Sequence, residues 1–282
     1  KGDFGIGWKM EMKNVQLHEN TTMGEGWKQT KSGFSYSITQ KVPHYVTVTY
    51  PDGKVDEFNM VVNPNSQGFI PITNVTAGFV EKSGTYSKLE SLNNNNLYVF
   101  GSVPGDVELL DDSTFNTYNP NRYKLTMPDG TVYIINQNSG LESIREPNGN
   151  TITFSPNGII HSTGKSVTFT RDSQGRITKI TDPMGNSINY KYDFYGDLIQ
   201  VTDRENYTSK YKYNSVHGLI EYINPNGDLG IRSEYDNNGR LLSITNSAGR
   251  TINFSRDLNT RQEIVTDFDG NVTVTEYDQN GN

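Results

Sequence analysis

The sequence predicts an all-β protein, an antiparallel β-meander with two strands in each repeat of roughly 21 residues. Three observations predict it. The turn signal Asp182-Pro183-Met184-Gly185-Asn186 recurs from Asp203, Asn224, Asn246 and Asp267, in steps of 21, 21, 22 and 21. A second signal is interleaved at Asp172, Asp193, Asn214, Asp236 and Asp257, and two series with one period mark a repeat architecture. Between the turns the residues alternate. Ile188, Tyr190 and Tyr192 share one parity, and Ser187, Asn189 and Lys191 the other, as in a strand with one apolar face. No stretch of 12 or more residues carries a helical period.

The turn residues have a physical reason. An aspartate or asparagine at the first turn position accepts a hydrogen bond from backbone two residues on. A glycine three residues on takes positive φ without a Cβ clash. A type I turn with a glycine bulge fits Tyr192-Asp193-Phe194-Tyr195-Gly196. In the following run, Ile199 and Val201 share one parity, while Leu198, like Leu219 and Leu241, falls on the other. Those leucines either cover the turn or follow a bulge that resets the register. The pattern has departures. Asn206-Tyr207 replace Gly-Asn, Thr260 replaces a turn glycine, Gln262 replaces a leucine, and Val272 and Val274 sit on the face that is polar elsewhere.

From the start, Phe4-Gly5-Ile6-Gly7-Trp8 is an aromatic opening. Phe34, Tyr36 and Ile38 alternate, and Val46, Val48 and Tyr50 lead through Pro51-Asp52-Gly53 into Val55 to Met60, a hairpin pattern. Residues 61–120 are less regular and read as an insertion or plugging segment. The expected division is therefore a β region with degenerate repeats at 1–120 and regular repeats at 121–282. Further turns stand at Met127-Pro128-Asp129-Gly130, Glu146-Pro147-Asn148-Gly149 and His161 to Lys165. The chain begins without methionine and stops inside the turn signal Asn280-Gly281-Asn282, so it is expected to be a section of something longer.

Composition limits the chemistry. There is no cysteine to pair, and no run of about 18 apolar residues to span a membrane. Apolar content is 33%, so turns are dense and the core is thin. The net charge of −7 argues against a nucleic-acid surface, and Lys210-Tyr211-Lys212-Tyr213 reads as a strand with two exposed lysines. Asp267 and Asp269 suggest calcium, but the twelfth position of that loop is Asp278 where a glutamate is needed, and turn formation accounts for the spacing. His18, His44, His161 and His217 have no metal-ligand spacing. No pair of carboxylates is singled out for glycoside hydrolysis. The chain is therefore expected to be no enzyme and to hold no cofactor and no metal. Seventeen tyrosines with Trp8 and Trp27 raise carbohydrate stacking. Tyr190, Tyr192, Tyr211, Tyr213 and Tyr235 nevertheless recur where cross-strand packing is expected.

Tyr-Asp-x-x-Gly-Arg-Leu stands in full at Tyr235, Asp236, Gly239, Arg240 and Leu241. Variants stand at Asp172 and Gly175, at Tyr192, Asp193 and Gly196, at Tyr213 and Asn214, and at Tyr277 and Asp278. With the Asp-Pro-x-Gly-Asn turn, this resembles the Rhs/YD-repeat family of bacterial Rhs and wall-associated contact toxins, Tc toxin B and C components, and animal teneurins. Phe4 to Trp8 is similar to the Gly-x-Gly-Trp motif that opens the Rhs region of bacterial members. The resemblance implies a curved or spiralling sheet that forms part of a hollow shell enclosing a polypeptide, the C-terminal toxin of the same full-length protein. It implies partners in the remaining repeats and that cargo, and a secreted or cell-surface bacterial location. The family's self-cleaving core segment is not recognisable here. The competing reading is a cell-surface adhesion or glycan-binding module, with exposed, adjacent aromatics.

Overall fold

The computed structural model describes residues 2–10 and 14–278. Among these the regular structure is all strand, and no helix is long and apolar enough to cross a membrane. The strands are antiparallel throughout, as the alternation predicts. The terminal Asn280-Gly281-Asn282 signal lies outside the described residues. The chain forms two compact units, Met12–Ser166 and Lys1–Glu11 with Val167–Asn282.

In the unit of residues 12–166, one sheet runs in spatial order Gln16–Glu19, Tyr45–Thr49, Val55–Asn63, Asn74–Glu81, Asn96–Gly101, Gly105–Asp111, Trp27–Ser32, Ser35–Gln40 and Ser66–Gly68. A second set starts with Lys88–Ser91 paired to Arg122–Thr126, then Val132–Asn136, Gly140–Arg145, Thr151–Ser155 and Gly158–His161. Residues 61–120, read as less regular, are about half strand. Val55–Asn63 shows why the core forms. Asp56, Phe58, Met60 and Val62 are buried and the residues between are not, so period-two alternation places one face inward. Phe58, Met60, Leu97, Leu109, Tyr123, Leu125 and Ile135 form one cluster from both sets of strands.

Most buried polar groups in this unit are paired, as burial requires, the exception being His44 Nδ1. Gln29 donates Nε2–H to the Ile72 carbonyl at 2.9 Å and accepts the Ile72 N–H at 2.8 Å. Tyr123 donates its hydroxyl to Glu19, whose carboxyl is pushed above its usual range by burial. Asp56 accepts from Tyr50 and Ser87 and lies 3.1 Å from the Lys54 ammonium. Trp27 is buried, donates Nε1–H to the Met23 carbonyl and stacks on His44 at 5.1 Å.

The other unit is a continuous meander of Ser166–Arg171, Ile177–Thr181, Ser187–Tyr192, Leu198–Thr202, Thr208–Tyr213, Leu219–Ile223, Leu229–Tyr235, Leu241–Asn246, Thr251–Asp257, Gln262–Thr266 and Val272–Glu276. A bulge does reset the register after the tyrosine turns. Tyr192 pairs with Leu198 but Lys191 with Gln200, so Ile199 has no partner in the ladder. Thr178, Ile220 and Leu242 are left out in the same way. Leu198 thereby pairs with Tyr192, and Val201 with Tyr190. The bulge is absent after Asp257, where Thr260 stands in place of glycine and Arg261 takes the positive φ.

The single step of 22 residues has a local cause. Tyr222 pairs with Ile231 and Ile223 with Leu229, which leaves out Gly230. One extra residue would otherwise turn every later side chain to the wrong face. The bulge absorbs it, and the tyrosine ring fills the space above: a Cβ on Gly230 would stand 2.6 Å from the Tyr222 ring. Gly230→Ala is expected to destabilise the meander by about 1–3 kcal/mol through overpacking, measured as a lowered denaturation midpoint. Gly249→Ala, at a position open to solvent but with φ of 76°, serves as the comparison for backbone strain alone.

Candidate functional site: the tyrosine row

Both turn series use one hydrogen-bond scheme. The first Asx side chain accepts backbone N–H groups from the residues two and four ahead. Asp236 Oδ1 takes Asn238 at 2.8 Å and Arg240 at 2.9 Å, and Asn214 Oδ1 takes Val216 at 3.1 Å and Gly218 at 2.8 Å. Asp172 takes Gln174 and Arg176 in the same way, while Asp193 departs from the scheme and takes Gly196, three ahead, and Asp197, four ahead. In the other series Asp182, Asp203, Asn224, Asn246 and Asp267 repeat the scheme. The residue three ahead holds positive φ, as glycine at Gly175, Gly196 and Gly239, and as Asn206 and His217 where glycine is replaced. Backbone donors at Arg240 and at Asn259 hold the Asp236 and Asp257 carboxyls below the usual range.

The same account covers the calcium candidate. Asp267 Oδ1 accepts from Asp269 and Asn271, Asp267 Oδ2 accepts from the Asn271 amide, and Asp269 pairs with Arg250. Among the described residues no three His, Asp or Glu side chains gather as metal ligands. Added calcium is expected to leave the melting temperature unchanged. A rise of several degrees would mean that a bound ion stabilises the folded state.

The tyrosines do something the sequence pattern does not announce. Three motif tyrosines donate their hydroxyls to the carbonyl of the post-turn residue in the preceding repeat. Tyr192 reaches Ile177 at 2.5 Å, Tyr213 reaches Leu198 at 2.9 Å and Tyr235 reaches Leu219 at 3.0 Å. These carbonyls lie beyond the ladder: the pairing after Leu198 begins at Gln200 with Lys210. The strands diverge at the bulge, and a phenol spans the gap. Arg256, in the tyrosine slot of the next repeat, points the same way, with its guanidinium 3.4 Å from the Leu241 carbonyl. In the last copy Tyr277 is half-buried and its N–H bonds the Arg261 carbonyl, while Asp278 is exposed.

Residues 2–10 lie on this row. Phe4 meets Tyr190 at 4.7 Å, and Trp8 meets Tyr211 edge-on at 5.6 Å. The Trp8 indole N–H donates to the Tyr213 hydroxyl at 2.9 Å, continuing the chain to Leu198. Ile177 N–H donates to the Asp3 carbonyl at 2.7 Å, Ile6 N–H donates to the Gly196 carbonyl at 3.1 Å, and Arg171 pairs with Asp3 at 2.9 Å. Gly5, with φ of 90°, has a physical necessity: its Cβ would fall 2.5 Å from the Gly196 carbonyl oxygen. The expected cross-strand role of the tyrosines holds at Tyr211, which pairs with Tyr222 at 5.4 Å between rings. The seated segment is the part that alternation alone does not predict.

Burial pushes the Tyr192 and Tyr213 phenols up to about 12. A folded value above the ordinary 10 means their contribution is complete below pH 10 and is lost as pH rises toward about 12. The unfolding midpoint is expected to fall across that window, and less steeply in Tyr213→Phe. At neutral pH Tyr213→Phe is expected to cost about 1–2 kcal/mol, since Leu198 and Trp8 both lose a partner.

Other sequence candidates are placed as follows. His217 bonds the buried Asp197 at 2.9 Å, and His161 bonds Thr163. His44 is buried with Nε2 against the Glu25 carbonyl, and burial lowers its pKa. Phe194 and Tyr195, in the turn after Tyr192, are 94% and 73% exposed and pack edge-on at 5.7 Å.

The model of the family described as teneurin YD-shell matches residues 118–282. No curated protein matches the chain. Among solved structures, it is similar to the Photorhabdus luminescens Tc holotoxin pore with a mutation in TccC3, at 9% identity over 89% of this chain and 16% of that chain, with a TM-score of 0.32. It is similar also to the TcdB2-TccC3 crystal structure, at 10% identity over 86% and 17%, with a TM-score of 0.33. The chain thus spans about a sixth of the length of those structures.

Proposed function

The chain belongs to the teneurin YD-shell family, and on that premise we propose that it is a non-catalytic section of shell wall which, in a longer protein, encloses a polypeptide cargo, the toxin segment of that protein. The observation that supports this reading most is where the repeated polar groups are used. The motif residues Asp172, Asp193, Asn214 and Asp236 bind turn backbone, and Tyr192, Tyr213 and Tyr235 bind the preceding repeat. A wall requires such self-contained repeats, which add by stacking. Its partners are then further repeats and other shell components, and its location is outside the producing cell.

The test is limited proteolysis of a longer protein that carries this chain. The enclosed segment is expected to resist cleavage until denaturant opens the repeats. Cleavage at the same rate with and without intact repeats would refute enclosure. The second reading, glycan binding, has one observation in its favour, the exposed Phe194–Tyr195 pair. A glycan array is expected to show no binding above background. A specific hit lost in Phe194→Ala/Tyr195→Ala would favour that reading instead.

A further inference from the structure

The post-turn slot is occupied by Ile177, Leu198, Leu219, Leu241 and Gln262 in successive repeats. Ile177 is 0% exposed and Leu198 is 3% exposed, while Leu219 and Leu241 are only half-buried. The step in burial falls where residues 2–10 end their contact with the row. The segment therefore supplies a missing second layer for the first repeats of a single-layer meander.

We propose that residues 2–10 are an intramolecular ligand, and that the groove from Arg171 to Tyr213 is a recognition site for an Asp-Phe-Gly-Ile-Gly-Trp segment, able to take it from a second copy of this chain as well as from its own. The inference stands apart from the shell reading, because it concerns only this unit. The fit is selective at each position. Asp3 meets the Arg171 guanidinium, and the backbone is held at Asp3 and Ile6 by Ile177 and Gly196. Phe4 and Trp8, four residues apart, reach Tyr190 and Tyr211, which are one repeat apart. Gly5 excludes any larger residue by its 2.5 Å approach to Gly196.

The segment cannot slide along the row. One repeat further on, the slot after Tyr211 is Ser233, which offers Trp8 no ring, and the slot of Arg171 is Tyr192, which offers Asp3 no cation. The segment also holds part of its own shape. Gly2 and Gly5 bond each other in both directions, and Phe4 N–H donates to the Trp8 carbonyl at 3.1 Å. A pre-shaped ligand loses less entropy on binding. All of these contacts are non-covalent, so the groove accepts the segment from either source. The chain's own copy has the advantage of a local concentration of order mM, so a second copy binds where that one is displaced.

The test is a titration of the full chain carrying Phe4→Ala/Trp8→Ala with a fluorescent peptide of residues 1–10. Saturable one-to-one binding is expected, at least tenfold tighter than to the unaltered chain, whose groove is filled. A peptide with Asp3→Arg is expected to bind at least tenfold more weakly. No saturable binding to a variant that keeps its β-sheet circular dichroism would overturn the site. If that variant does not fold, the charge swap decides: Asp3→Arg and Arg171→Asp should each lower the melting temperature and together restore it, and failure to restore would also overturn it. For the second copy, the Phe4→Ala/Trp8→Ala chain is mixed with an Arg171→Asp chain, which keeps a competent segment but a weakened groove. Sedimentation is expected to show a heterodimer that neither forms alone. Peptide binding without that heterodimer would remove the second copy from the proposal.

Discussion

Leu198→Ala is expected to destabilise the meander by about 2–4 kcal/mol, and Leu241→Ala by about half as much or less. The two leucines hold the same slot after the same turn, each paired with a motif tyrosine and followed by a residue left out of the ladder. Propensity, turn chemistry and register are therefore matched. What differs is cover: Leu198 is 3% exposed with Gly196 beneath Ile6, and Leu241 is half-buried. Removing Leu198 leaves a cavity with a lid, and removing Leu241 opens a surface that water refills. Chemical denaturation followed by tyrosine fluorescence measures both. Equal losses would show that residues 2–10 contribute no core.

Trp27→Ala is expected to cost the unit of residues 12–166 about 3–5 kcal/mol. The ring is 2% exposed, its N–H satisfies the Met23 carbonyl, and its face lies on His44. The substitution removes packing, leaves an acceptor unpaired, and admits water to an imidazole now kept below its usual pKa by burial. The sign of the last effect is definite. A lowered folded pKa makes His44 cost stability as pH falls below its ordinary 6.5. The variant is expected to unfold at lower denaturant, and its midpoint to fall less between neutral pH and about pH 5 than that of the unaltered chain. A midpoint within the error of the unaltered chain would contradict the assigned core.

Much of the meander is legible in the amino-acid order because its contacts are local. Asp182 to Asn186 or Asp236 to Arg240 folds on itself through hydrogen bonds spanning four residues, so the motif and its mechanism coincide. Gly230 is harder to read. Its cause is a ring eight residues earlier, and the pattern shows only an odd step of 22. Residues 61–120 look irregular for a different reason. Gly105–Asp111 pairs with Trp27–Ser32, and Lys88–Ser91 pairs with Arg122–Thr126, so no short turn marks these partners. The candidate site divides in the same way. The turn aspartates are visible in the repeat, but the acceptors of the tyrosine hydroxyls lie 15 or 16 residues back. The contacts of Trp8 span 205 residues, and nothing in the local pattern of Phe4 to Trp8 names Tyr213 as its partner.

The phenol bonds give the array a direction. The motif hydroxyls of Tyr192, Tyr213 and Tyr235 all point toward lower residue numbers, so a newly added hairpin brings its own donor to an acceptor already waiting. Growth toward higher numbers satisfies a group at each step, whereas loss of the lowest-numbered hairpin strands a phenol above it. A chain emerging from the ribosome would meet these acceptors in the order it needs them, with each completed hairpin serving as the template for its successor.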